Sequence, residues 1–257
     1  MLDVTVPLLD PRNFGHGVYR RRIEIERSGS DRVVAELEDD YHHFRATLVH
    51  DGARVVAFHG EAVRFPWSTC PGATAALDVL VGMPLSPRCS AVGEHADVRR
   101  QCTHLFDLAG LAVAHAATGR DRRQYDVTAP DPSGPRRESW LARDGEEVLR
   151  LTLEGGTIVA PARYTGRSLT GGFLAWAESS FEPDEAEALI VLRRGTMIGA
   201  GRGTDMDGAT HAIDIGAQML GSCHTFTVGI AETAARMRHT TLDFTDAPDE
   251  LLSGNGH

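Results

Sequence analysis

Phe44-Arg-Ala-Thr-Leu-Val49, then Asp51-Gly52, then Arg54-Val-Val-Ala-Phe58 is the stretch that decides the fold. Two strand-forming runs flank an Asp-Gly pair, which supplies the positive backbone angles a tight hairpin turn demands. Working outward, Arg22-Ile-Glu-Ile-Glu-Arg27 alternates with period two, as do residues 33–37, so both read as strands. Residues 61–64 carry the second hairpin strand on toward Pro66-Trp67. The pattern returns later as residues 138–143, an Asp144-Gly145 turn, residues 148–153 and residues 157–160. Antiparallel hairpins segregated from helices define the α+β class, with the helices expected to pack on one side.

The strongest helical signal is Cys102-Thr-His-Leu-Phe-Asp-Leu-Ala-Gly-Leu-Ala-Val-Ala-His-Ala116, whose Leu105, Leu108, Ala112 and Ala116 recur at helical spacing. Residues 70–82 read as helical from Gly72, with Gly82 as the stop, and 83–98 as a loop. Residues 172–179 suggest a short helix, 186–193 a helix end or a buried strand, and 211–221 and 228–238 two further helices. The expected organisation is an N-terminal arm (1–18), an α+β domain carrying the site (19–120), a linker rich in Asp, Arg, Pro and Ser (121–136), a second α+β part packed on the first (137–245) and a frayed tail (246–257). Both halves have a hairpin with an Asp-Gly turn followed by a helix, without the sequence identity that would establish a repeat.

With 257 residues, 42% hydrophobic and 24% charged, the chain has the composition of a globular protein with a sizeable core. No apolar run approaches the ~18 residues of a membrane span, and the start lacks the layout of a signal peptide. A cytoplasmic location is therefore expected, with neither membrane nor nucleic acid as partner at a net charge of −10. Arg20-Arg21-Arg22 is the densest basic patch and reads as a solvated strand approach pairing with Glu24, Glu26 and Glu36. Four cysteines in a chain of this length argue against a disulfide framework. All 26 basic residues are arginine. A chain without lysine excludes Schiff-base, pyridoxal-phosphate and Walker-type phosphate-loop chemistry, each of which needs one.

Four clusters carry the remaining options. In Asp39-Asp40-Tyr41-His42-His43, an extended chain would aim Tyr41 and His43 at one face and Asp40 and His42 at the other. In Arg64-Phe-Pro-Trp67-Ser-Thr-Cys70-Pro-Gly72 a bend sets a cysteine just before a helix, and Cys102 stands at the start of another. A helix start lowers a thiol pKa through its dipole and open N–H groups, so Cys102 with His104 suits either a metal site or a reactive thiolate. Asp107, one turn on, could orient the His104 imidazole, whereas His115 is about 16 Å away along the axis at ~1.5 Å per residue. In Gly221-Ser-Cys223-His224 the adjacent Cys and His face opposite ways if extended, which suits a turn lining a pocket. Gly199-Ala-Gly201-Arg-Gly203 has the wrong spacing for a dinucleotide loop, and Asp205-Met-Asp207-Gly lacks most of a calcium loop.

On its Asp-Asp-Tyr-His-His, Pro-Trp-x-x-Cys-Pro-Gly-Ala and Cys-Thr-His-Leu motifs, the chain resembles a bacterial family of domains of unknown function, a resemblance that carries no activity with it. The order of acidic residue, hairpin, cysteine before a helix and helix opened by Cys102 also looks like iron–sulfur scaffold proteins of the IscU/NifU type, which would make the N-terminal half IscU/NifU-like. That likeness matches Cys70 and Cys102 to two of three scaffold cysteines and Asp40 to the nearby aspartate. The first scaffold cysteine has no counterpart, and His42 or His43 would take its place. Two cysteines, a histidine and a carboxylate suit zinc or iron.

The expected function is that of an enzyme acting on a small organic, potentially aromatic, substrate by lyase or hydrolase chemistry. His43 or His104 would be the general base, and Arg64 would hold an anionic or phenolic oxygen. Trp67, Tyr41 and His224 would line the pocket. A zinc or iron ion on Asp40, His43, Cys70 and Cys102 would assist or replace the base, and no nucleotide cofactor is expected. A second copy of the chain, as a homodimer, is the other partner considered. The competing expectation is a non-enzymatic metal or iron–sulfur carrier with Cys70 and Cys102 as ligands.

Overall fold

The computed structural model describes residues 6–253. Residues 1–5 of the expected arm and 254–257 of the expected tail lie outside the described residues. In chain order the regular elements are β1 (Val18–Arg27), β2 (Arg32–Asp39), β3 (His43–His50), β4 (Val55–Arg64), α1 (Thr103–Thr118), β5 (Arg122–Pro130), β6 (Arg136–Arg143), β7 (Glu146–Glu154), β8 (Thr157–Ala160), α2 (Phe173–Ser180) and α3 (Pro183–Gly199). The strands form one eight-stranded sheet in the order β4-β3-β2-β1-β5-β6-β7-β8. The pairs β2–β3, β3–β4, β5–β6, β6–β7 and β7–β8 are antiparallel. The α+β class read from the hairpins is the class of the fold.

Both Asp-Gly turns form, by different means. Asp51 accepts from the N–H groups of Ala53 and Arg54 at 2.9 and 2.7 Å, with Gly52 at φ +91°. At the second turn Asp144 and Gly145 have φ +53° and +89°, the paired positive angles of a tight hairpin connection.

The chain gathers into two compact units, one of residues 23–123 and 205–241, the other of residues up to 22, 124–204 and from 242 on. In the first, α1 lies on β2 and β3. Val33, Ala35 and Leu37 of β2 and Phe44, Ala46 and Leu48 of β3 are buried with Leu105, Leu108, Ala109 and Ala112 of α1. The opposite face carries a charged cluster: Glu36 of β2, Arg45 of β3 and Glu61 of β4 are register partners linked by ion pairs of 3.0 and 3.2 Å. Strict alternation sorts one strand into a core side and a charged side. In the second unit α3 packs on β6 and β7, and Leu141, Leu151, Leu189 and Leu192 are fully buried.

Several sequence expectations need correction. The region expected as a linker, 121–136, holds strand β5, whose Tyr125, Val127 and Ala129 are buried in alternation. Arg122 and Asp126 take intervening positions, Asp126 in an ion pair with Arg22 at 2.7 Å, while Arg123 is buried in phase with Tyr125. Residues 70–80 are 3₁₀ turns, not an α-helix. Residues 186–193 lie inside α3. Residues 211–221 hold only short 3₁₀ turns, and 228–238 form no helix but bridge Trp67 to Arg236 and His211 to Ala235. The arm is docked, with Leu8 bridging Leu242, and so is the start of the tail, where Leu251 and Leu252 are buried.

Candidate metal centre

The connection from β2 to β3 is a tight turn built on Asp39. Its Oδ1 accepts from the N–H groups of Tyr41 and His42, both at 2.8 Å, while its own N–H donates to the His42 carbonyl at 2.8 Å. Aspartate favours such turns because its short side chain reaches backbone two residues on. The Asp39–His42 segment is therefore curled, and the face assignment expected of an extended chain does not hold. Arg64, at the end of β4, secures the turn through its carbonyls. Its Nη1 donates to Asp40 O at 3.0 Å and Thr240 O at 2.7 Å, and its Nη2 to Asp39 O at 2.5 Å and to the Glu38 carboxylate at 3.2 Å.

The curl turns His42 onto the first turn of α1. Its ring stacks on that of His104 with centroids 3.7 Å apart and 28° between planes, and Phe44 flanks both. His42 Nδ1 lies 3.0 Å from Asp39 Oδ1. One ligand atom from each of Asp39, His42 and His104 falls within 4.8 Å of the others, which makes this a candidate metal-binding group among the described residues. The Asp39 side chain is fully buried and that of His42 is 13% exposed. A buried carboxylate is costly unless a cation or hydrogen bonds compensate it, and this one has two backbone donors and an imidazole. Two nitrogens and one oxygen from separate elements suit zinc or non-haem iron.

The other expected residues sit as follows. Tyr41 is buried with its ring 5.9 Å from that of His42, so it packs beside the centre. Asp107 lies one turn beyond His104 on α1, half-buried and outside the ligand group. Asp40 is fully buried but is likewise outside it. His43 is on the charged side of the sheet, with Nε2 at 2.5 Å from Glu36 and Nδ1 at 3.8 Å from Glu38. The ring is thus held between two carboxylates. Arg64 binds carbonyls and Glu38, not an open oxyanion site. Trp67 is 2% exposed, packed edge-on to Phe226 and under the Arg236 guanidinium, so it is core, not a pocket wall.

The cysteines depart furthest from expectation. Neither Cys70 nor Cys102 joins Asp39, His42 and His104. Burial pushes the Cys70 thiol up to about 11, against its hydrogen bond with the Thr225 hydroxyl. Cys102 is pushed up further by burial, with Cys70 nearby adding to it, although it stands at the start of α1. The dipole is worth about 0.3–1 kcal/mol, whereas burying an ion costs several. His224 donates its backbone N–H to Gln101 O at 2.9 Å, and its Nε2 would lie 3.6 Å from a Cβ placed on Gly72. It belongs with the cysteine loops, not with the Asp39 turn.

Asp39 is the member that sequence reasoning missed, choosing Asp40, while His42 was considered only as the alternative to His43 in place of a scaffold cysteine. The Asp-x-x-His spacing is no signal for the pair, since Asp40 and His43 share it.

Residues 22–118 match a family model described as protein of unknown function (DUF2889), a segment that contains all three members of the centre. No curated protein matches the chain in sequence. Among solved structures, a crystal structure of a viral glycoprotein is 10% identical over 76% of this chain, with a TM-score of 0.18. The chain spans 62% of that protein's length. No described helix is long and apolar enough to cross a membrane.

Proposed function

We propose that the protein binds one zinc or iron ion through Asp39, His42 and His104, and that this ion serves lyase or hydrolase chemistry on a small organic substrate. The observation that carries the reading is the meeting of one carboxylate and two imidazoles, from a turn and a helix far apart in sequence, within 4.8 Å. Such an ion supplies Lewis-acid polarisation. The surrounding residues support the ligands: Arg64 fixes the turn that carries Asp39 and His42, and Phe44 limits the tilt of both rings. Supporting contacts of this kind orient ligands and tune affinity. The carrier reading, with Cys70 and Cys102 as ligands, draws no support from this centre, which contains neither thiol.

The test is metal content and zinc titration of the full chain. Wild type is expected to take up one ion per chain here, with affinity reduced at least about 100-fold in His42→Ala and in His104→Gln, a larger loss than the 10–100-fold typical of a supporting residue. Circular dichroism confirms that each variant is folded. Equal affinity in wild type and both folded variants would sink the reading.

A further inference from the structure

Three of the four cysteines converge on one loop. Thr225, 2% exposed, places its hydroxyl 3.5 Å from Cys70 Sγ and 3.1 Å from the Thr69 hydroxyl. One residue earlier, His224 donates its backbone N–H to Gln101 O, the residue directly before Cys102. The loop is a tight turn, Phe226 N–H donating to Cys223 O at 3.0 Å and Thr227 N–H to His224 O at 3.2 Å. Cys223 is thereby set between the Cys70 turn and the start of α1, and the His224 imidazole reaches back to Gly72, two residues past Cys70. Residues 70, 102, 223 and 224 thus stand on three neighbouring loops, with no three of their ligand atoms within 4.8 Å of one another as the side chains stand.

Burial above all disfavours the thiolates of Cys70 and Cys102; Cys223 adds to this at both, and Cys70 at Cys102. None of the four cysteines is in a disulfide. Cys70 and Cys102 are buried and Cys223 is half-buried, so the group has one side toward solvent.

We infer that Cys70, Cys102 and Cys223, with His224 beside them, form a second binding site, for a soft thiophilic metal ion of the zinc class. Three sulfurs and an imidazole are a common donor set for zinc, and soft thiolates select such ions over magnesium or calcium. Like charge between thiolates is what a divalent cation relieves, and binding releases the protons that burial retains. Binding a common ion requires the sulfurs to draw together by rotation about χ1 between staggered positions. The Thr225 hydroxyl, next to Cys70, is placed to donate to the thiolate once formed, a supporting role typical around metal ligands.

The test is cobalt(II) titration of the reduced, metal-stripped full chain. Wild type is expected to develop a sulfur-to-cobalt charge-transfer band. The band should be lost in Cys223→Ser, the least buried of the three and so the least damaging to the fold, and retained in Cys89→Ser. It should also persist in His104→Gln, which separates this site from the Asp39 centre. No charge-transfer band in wild type, an unchanged band in Cys223→Ser, or cobalt binding that disappears only with His104→Gln would overturn the inference.

Discussion

At Cys70 the pH dependence of stability follows from burial. Unfolded, a thiol titrates near about 8.5; folded, that of Cys70 is pushed up to about 11. The unfolded chain therefore gives up the proton first. The contribution of this group to stability is full below the unfolded value and is lost as pH rises through the folded one. Urea unfolding of the reduced, metal-free protein should show stability falling above about pH 8.5, and Cys70→Ala should remove on the order of 3 kcal/mol of that fall. An identical decline in the variant would show that Cys70 is not the group responsible. The same physics explains what the sequence disclosed of the site. Helix-start cysteines were visible at Cys102, but their burial depends on loops more than a hundred residues away. The Asp39–His42 pair was one position from the residues chosen, because an extended chain and an aspartate-capped turn assign opposite faces to neighbouring side chains.

At the element scale, α1 reaches its place through Gly110. A Cβ on that residue would lie 2.1 Å from the Cys89 carbonyl oxygen and 3.3 Å from Val92 Cγ2. A backbone carbonyl cannot swing aside, so either α1 or the 3₁₀ turn Cys89–Glu94 must shift. Alanine returns about 1 kcal/mol of helix propensity against about 1–3 kcal/mol for overpacking. Gly110→Ala should therefore lower stability by up to about 2 kcal/mol, and, because His104 rides on the same helix, weaken zinc binding at the Asp39 centre. Thermal melts and zinc titration measure both effects, with Gly134→Ala, where a Cβ meets open space, as the neutral comparison. Equal melting temperatures would show that the contact is not tight. Elements with a strong local signal were legible: both hairpins, and α1 to within two residues of its observed Thr103–Thr118 span. Strand β5 was hidden because its Arg and Asp residues imitate a linker, and only sheet pairing distinguishes them. Residues 228–238 have buried alanines that suggest a helix, but the chain there is held by bridges to partners distant in sequence.

At the scale of the whole chain, the unit that contains α3 draws on both ends of the sequence, a feature no local pattern reveals. Arg202 is where these segments meet. Its guanidinium is 2% exposed, with Nε at 3.1 Å from Asp131 Oδ1 and Nη2 at 3.1 Å from Asp243 Oδ1. Nη2 also reaches Thr245 Oγ1 at 3.2 Å, while Asp131 Oδ2 accepts from the N–H of Gly17 at 3.1 Å. One buried cation thus ties the end of β5 and residues 243–245, with the approach to β1 joined through Asp131. Removing one partner of such a cluster leaves buried carboxylates uncompensated, which costs about 3–5 kcal/mol. Arg202→Ala should lower the urea midpoint accordingly, whereas Arg12→Ala, which breaks the exposed pair with Asp10, should leave it unmoved. The pH dependence separates this from simple loss of packing. Burial raises the Asp243 pKa, but hydrogen bonds from Thr245 and the Arg202 charge outweigh it and hold the carboxyl below its usual range. The stability it contributes is full above the ordinary aspartate value, near about 3.9, and is lost as pH falls through the depressed folded value. In Arg202→Ala that depression shrinks, so the variant's deficit against wild type should narrow as the medium is acidified through this range. A deficit that stays constant down to the acid limit would mean the arginine acts by filling space, not by its charge.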